Sequence, residues 1–195
     1  MARTAVKAVE VYTDPPIARI LFSSTRLAWL WAAIRVWLGW QWIEAGLHKI
    51  GVEAWTGNGL ALRGFWERAV AVPAAPARPA IAFEWYRSFI QYLLDAQAYT
   101  WFAKLVAYGE VALGVALIVG AFVGIAAFFG AFMNWNFMMA GTASTNPLLF
   151  TIAILLILSW KVAGHYGLDR FLLPIVGTPW KPGKAFNGRL AGETA

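Results

Sequence analysis

The sequence predicts an all-α protein: a polytopic membrane four-helix bundle with interfacial amphipathic helices in a long outer loop. Three observations carry that expectation. Of the 195 residues, 60% are hydrophobic and 13% charged, where soluble domains average about 45–50% and 25%. The apolar residues collect in four stretches, about 27–50, 101–119, 122–140 and 148–165, each close to the roughly 20 residues a helix needs to cross a bilayer. Between the first two lies a mixed segment, 51–99, in which apolar residues recur at helical spacing. The length fits one membrane domain, 1–195, with little room for a separate soluble catalytic module.

Composition also excludes. Cysteine is absent, so the chain offers no disulfide, thiolate nucleophile, persulfide carrier or cysteine-ligated metal. The formal charge of +6 reads as topological in so apolar a chain, because Lys and Arg collect on the cytoplasmic side. The lipid bilayer is the expected partner, and nucleic acid is not.

The N-terminal segment, MARTAVKAVEVYTDPPIARILFSSTR, lacks a short apolar core followed by a small-residue cleavage site, so no removed signal peptide is expected. Asp14 before Pro15 and Pro16 predicts the cap of a short interfacial helix. The first span, LAWLWAAIRVWLGWQWIEAGLHKI, is apolar yet carries Arg35, Gln41, Glu44, His48 and Lys49. An ionisable group at the centre of a membrane helix costs about 2.5–3.5 kcal/mol on insertion scales, so such residues face protein or a wet cavity and mark a candidate site.

The outer loop divides in three. GNGLALRGFWERAV and FEWYRSFIQYLLD, the latter with Tyr86, Phe89, Ile90, Leu93 and Leu94 at helical spacing, predict amphipathic helices. The proline-rich VPAAPARPA between them predicts an extended break. The helices read either as fillers of interfacial space or as a lid over a binding site.

The second span holds Glu110 near its middle, with Gly109 and Gly114 permitting close helix contact. A short link through Gly120 predicts an antiparallel third span, in which Asn134 and Asn136 flank Trp135. The polar turn GTASTNP leads into the fourth. From Gly177 the tail, 177–195, is polar and basic. An even number of spans puts both termini on one side. The segments before the first span and from Lys161 onward hold nine Lys and Arg against five from Lys49 to Tyr99, which predicts cytoplasmic termini and a multi-pass protein of the cell membrane.

Approximate depths follow from a rise of about 1.5 Å per residue. Arg35 and Glu110 come out level near the midplane, which predicts an ion pair, either pinning the bundle or taking part in chemistry. Gln41, Glu44 and His48 share a face of the first span, and with Lys49 they come level with Asn134 and Asn136. That predicts a polar pocket open to the outside; the alternative is an interfacial cap in which Lys49 snorkels to the surface. His48 and His165 fall at opposite ends of the bundle, so they are not expected to ligate one haem or metal, and neither cofactor is predicted. No phosphate loop, nucleophile elbow or HExxH pattern occurs.

Arg35, Gly39, Gly46 and Lys49, followed by Glu110 and Gly114, together with the segments EAGLHKI and FAKLVAYGEVALGVALIVGAF, resemble the pattern of the DoxX/DoxD family over about residues 27–165. The resemblance implies a four-span protein of the DoxD type, similar to the large membrane subunit of a thiosulfate:quinone oxidoreductase that works with a smaller subunit. It makes Arg35, Lys49 and Glu110 the positions to test. On this reading Arg35, Glu44, Lys49 and Glu110 are the candidate catalytic residues. His48, Asn134, Trp135 and Asn136 are candidates for binding substrate or quinone. The implied partners are quinone, as a substrate, and a second redox subunit, with association of like chains left open. A different class also fits: a non-catalytic anchor or assembly component for a redox partner.

Overall fold

The computed structural model describes residues 13–178 and 181–185. The expectations for the first twelve residues and the end of the tail lie outside these residues. Helices dominate the described residues, and the one other regular element among them is a minimal two-strand ladder. Helix α1, Pro16–Ser23, leads through a 3-10 turn, Thr25–Leu27, into α2, Ala28–Leu47. A π-helical turn at Glu53–Gly57 precedes α3, Leu60–Val70, and α4, Glu84–Asp95. Then come α5, Tyr99–Val119, α6, Val123–Met139, α7, Asn146–Leu158, the single turn α8, Trp160–Ala163, and α9, Asp169–Val176. Strands β1, Gly177–Thr178, and β2, Lys181–Pro182, close the described part.

The tightest helix pair is α2 with α5, and glycine is the reason. A Cβ on Gly39 would lie 2.7 Å from the Gly114 carbonyl oxygen, and one on Gly46 would lie 2.6 Å from Val111 Cγ2 and 2.9 Å from the Ala107 carbonyl oxygen. Removing those side chains lets two backbones approach where a larger residue would hold them apart. The contacts pair Gly46 with Ala107, Gly39 with Gly114 and Arg35 with Ile118, an antiparallel register that governs everything at the site. Gly109, by contrast, has nothing within 4 Å of its missing Cβ, so only Gly114 of the two expected contact glycines on α5 lies in the seam.

Helix α5 ends at Gly120, whose φ of +70° suits a residue without Cβ, and the N–H of Ala121 bonds back to the Ala116 carbonyl at 2.9 Å. The chain reverses there into α6, which packs along α7. Trp31, Leu38 and Trp42 of α2, Leu117 of α5 and the alanines of α6 form the main core. A second core lies at the other end: Leu62, Trp66 and Ala69 of α3, Tyr86 and Ile90 of α4, and Tyr99 and Ala103 of α5. Helices α3 and α4 therefore dock on the bundle. Of the residues expected on the inner face of α4, Tyr86 and Ile90 are buried while Phe89 is exposed.

Helix α5 is long and apolar enough to cross a membrane, and a second such segment exists if α1 and α2, bent by 54°, count as one. Helices α6 and α7 are apolar but shorter. Many large apolar side chains point outward, among them Trp37, Trp40, Leu105, Phe128, Phe129 and Phe132, while small residues such as Ala126, Ala127 and Ala131 share the inside with Trp31, Leu38 and Trp42.

Three expectations need correction. Asp14 does not cap α1: Pro15 holds the capping position, with no side-chain hydrogen bond there. The first span's helix stops at Leu47, and 48–51 form a turn. The expected single helix over 148–165 breaks at Ser159, whose hydroxyl donates to the Leu155 carbonyl at 2.9 Å, a local bond that competes with the helix ladder.

Candidate functional site

The site begins with the direction in which side chains leave a helix. Every Cα–Cβ bond tilts toward the helix N-terminus. In the antiparallel α2–α5 pair, Glu110 therefore reaches back along α5 toward Ala107, while Lys49, in the turn after α2, folds back to the Ala45 carbonyl. These two levels coincide in the register set by Gly46. Lys49 Nζ lies 2.5 Å from Glu110 Oε2 and donates to the Ala45 carbonyl at 3.1 Å. Its ammonium also stands 5.3 Å from the ring centroid of Trp55, in the π-helical turn. Glu110 is 1% exposed and Lys49 18%. Lys49 turns into the protein instead of snorkelling to the surface.

The same geometry overturns the expected pair of Arg35 with Glu110. In this register Glu110 is level with residue 43, about 12 Å along the axis from Arg35, and the two side chains point away from each other. Arg35 faces the α9 end, where Nε donates to the Ala163 carbonyl at 2.9 Å and Nη2 to the Tyr166 carbonyl at 2.8 Å. Nη1 donates to the carbonyls of Leu117 and Ile118. The guanidinium thus ties together the C-terminal ends of α5 and α8, where helix carbonyls lack partners and the dipole is negative. A Cβ on Gly120 would sit 2.7 Å from its Cζ. Arg35 is 2% exposed, each of its three nitrogens donates to a carbonyl, and it lies far from the other candidates.

Asp169 completes that joint. Its carboxylate accepts from the N–H groups of Phe122 at 2.5 Å and Val123 at 2.9 Å, capping α6, and its own N–H donates to the Gly120 carbonyl at 2.8 Å. Burial pushes the Asp169 carboxyl up, against the two backbone donors and Arg35, which favour the charged form.

At the opposite end the Lys49–Glu110 pair borders a cavity of about 780 Å³. Gln41, Trp42, Glu44 and His48 of the α2 segment, Asn134 and Phe137 of α6, and Arg68 of α3 also line it. Phe65 and Leu60 of α3 and the turn residues Thr142, Ser144, Thr145 and Asn146 complete the wall. Helix α3 lines one side of the cavity. Glu44 and His48 are exposed at the mouth. Asn134 is fully buried, and neither oxygen nor nitrogen of its amide has a hydrogen-bond partner; Trp42 Nε1 is likewise buried and unpaired.

Six sequence-predicted groups therefore converge: Gln41, Glu44, His48, Lys49, Glu110 and Asn134. Trp135 and Asn136 do not line the cavity. One residue further round α6 means about 100° of rotation, which turns Trp135 toward Phe132 and Tyr86. Asn136 receives the Tyr86 hydroxyl on Oδ1 at 3.0 Å and returns its own amide N–H to the Phe132 carbonyl at 2.8 Å. The pair latches α4 to α6. Burial pushes the Tyr86 phenol up to about 12.

Sequence reasoning missed Trp42, Trp55, Arg68 and the 142–146 turn. Trp42 carried a signal, lying one residue from Gln41 on the seam side of α2. Arg68 and the turn come near only through tertiary packing. Among the described residues no three His, Asp or Glu side chains gather as a metal site would require. No family model, curated protein or solved structure matches the chain.

Proposed function

We propose that the chain crosses the cell membrane four times, through α2, α5, α6 and the α7–α8 pair, with both termini cytoplasmic and α3 and α4 on the outer side. The outward apolar belt and the Lys and Arg distribution support this topology. Within it the protein serves as a DoxX-type subunit of a quinone-linked oxidoreductase acting on a small reduced donor such as thiosulfate.

One observation carries the reading: two residues with unpaired, buried N–H donors and a largely buried ion pair line a single cavity with aromatic walls. A quinone needs hydrogen-bond donors for its carbonyls, an apolar slot for its ring and a proton source. Asn134 and Trp42 provide the donors, Trp55, Phe65 and Phe137 the slot. Reduction of a quinone to a quinol takes up two electrons and two protons. Glu110 and Lys49 exchange a proton with the ring oxygen, Glu44 and His48 connect the cavity to water, and the electrons come from the reduced donor or a partner subunit.

The exposed aromatic face of α4, Trp85, Phe89 and Tyr92, with Phe83 just before it, favours a second reading, a non-catalytic anchor that assembles with a redox partner through this helix. One assay separates the two. The purified chain, alone and with any co-purifying protein, is offered a soluble quinone and thiosulfate or another donor. Turnover that falls in Glu110→Gln and Lys49→Met supports the oxidoreductase; turnover indifferent to both, or residing wholly in the co-purifying protein, rejects it.

A further inference from the structure

The polar groups at the deep end of the cavity describe their ligand more closely than a quinone carbonyl requires. Gly130 and Asn134 lie one turn apart on the same face of α6. The position of a Cβ on Gly130 is 3.2 Å from Trp42 Nε1, so the indole N–H lies against the bare backbone at Gly130, one turn along α6 from Asn134. A buried amide left unpaired is costly on both its sides. Here a donor and an acceptor on Asn134, and one more donor on Trp42, lack partners within a single turn of helix.

Charge narrows the class. The carboxylates lining the cavity, Glu44 and Glu110, are matched by Lys49 and Arg68, and the Lys49 ammonium is already held by Glu110 at 2.5 Å. An inorganic anion entering the deep end would meet a carboxylate with its counter-charge spent. A neutral molecule would not. The walls of Trp42, Trp55, Phe65 and Phe137 suit a flat ring.

We propose that Asn134 and Trp42 form a subsite for a neutral aromatic ring carrying adjacent hydroxyl groups. One ligand hydroxyl donates to Asn134 Oδ1, and the ligand oxygens accept from Asn134 Nδ2 and Trp42 Nε1. Asn134 is the specificity-determining residue. The inference rests on the cavity being a ligand site and needs no redox turnover.

Calorimetric titration of the full chain in lipid nanodiscs tests it, with catechol as probe, its dimethyl ether veratrole as the analogue without hydroxyl donors, and thiosulfate as the anion. Catechol binds about tenfold or more tightly than veratrole, the worth of one well-made buried hydrogen bond, and thiosulfate does not displace it. Asn134→Leu abolishes the preference while its unfolding midpoint holds or rises, since it removes an unpaired amide. Trp42→Phe, which keeps the ring and drops the N–H, weakens catechol several-fold and serves as the second variant if Asn134→Leu fails to fold. Equal binding of catechol and veratrole, no catechol binding, displacement by thiosulfate, or an unchanged preference in either folded variant overturns the proposal. Quinone turnover without catechol selectivity would leave the oxidoreductase reading standing and sink this one; selectivity without turnover would do the reverse.

Discussion

Lys49 and Glu110 stand 61 residues apart in sequence, yet the ammonium nitrogen lies 2.5 Å from the carboxylate oxygen at the wall of the cavity. Their meeting follows from the antiparallel register of α2 and α5: Glu110 leans toward the N-terminus of α5, and Lys49 folds back from the turn that ends α2. Removing one member of a buried pair strands the other charge, at a cost of about 3–5 kcal/mol. Lys49→Met, which leaves the 1% exposed Glu110 alone, should be the worse variant. Glu110→Gln should cost less, because Lys49 can then swing outward. The double variant should recover most of the loss, as read from unfolding midpoints in one detergent.

Arg35 should behave as a structural joint. Its donors reach the carbonyls of Leu117, Ile118, Ala163 and Tyr166, a planar fork that lysine cannot reproduce. Arg35→Lys keeps the charge and should still cost at least about 3 kcal/mol. Loss of folded protein in step with loss of activity fits this role; a stable Arg35→Lys protein with impaired turnover would return Arg35 to the catalytic group.

The α2–α5 seam offers a paired test. A Cβ on Gly114 would meet the Gly39 carbonyl oxygen at 2.5 Å, whereas one on Gly109 meets nothing within 4 Å. Gly114→Ala should destabilise by about 1–3 kcal/mol through overpacking. Gly109→Ala, five residues away on the same helix, should be neutral or gain up to about 1 kcal/mol of helix propensity. Thermal unfolding of the two variants side by side reads the difference.

Alkaline pH probes the α4 latch. The folded state raises the Tyr86 phenol from 10.0 to about 12 by burial, so between those values the folded chain holds a proton that the unfolded chain has released. Stability from this group is therefore present below pH 10 and lost as pH climbs through 12. Tyr86→Phe should flatten that decline and cost about 1 kcal/mol at neutral pH, through loss of the bond to Asn136. Denaturant titrations across the alkaline range measure both effects.

Legibility from sequence followed the range of the interaction. The apolar stretches foretold where α5 and α6 lie to within two residues, because span length is a local property. The faces of α2 and the depth of Asn134 were also legible, and they gathered five of the cavity groups, Gln41, Glu44, His48, Lys49 and Asn134, but not Glu110. Pairing was not. Depths taken at Cα put Arg35 opposite Glu110, but register comes from where Gly39 meets Gly114, and reach comes from Cβ direction. The joint of Arg35, Asp169 and Gly120 was hidden because each member reads locally as an ordinary charge or turn residue. The docking of α3 over the cavity was left between two readings, since periodicity names a buried face without naming what buries it.

Because the chain contains no cysteine, single substitutions give a clean test of the central claim, a cavity open on the outer side and closed off from the side of the termini. Glu44→Cys and Ser144→Cys both replace exposed residues that line the cavity, and Arg170→Cys replaces an exposed residue of α9 at the other end. In intact cells a membrane-impermeant maleimide should modify the first two, and the third only after permeabilisation. Modification of Arg170→Cys in intact cells, or protection of Glu44→Cys and Ser144→Cys until the membrane is opened, would contradict the account.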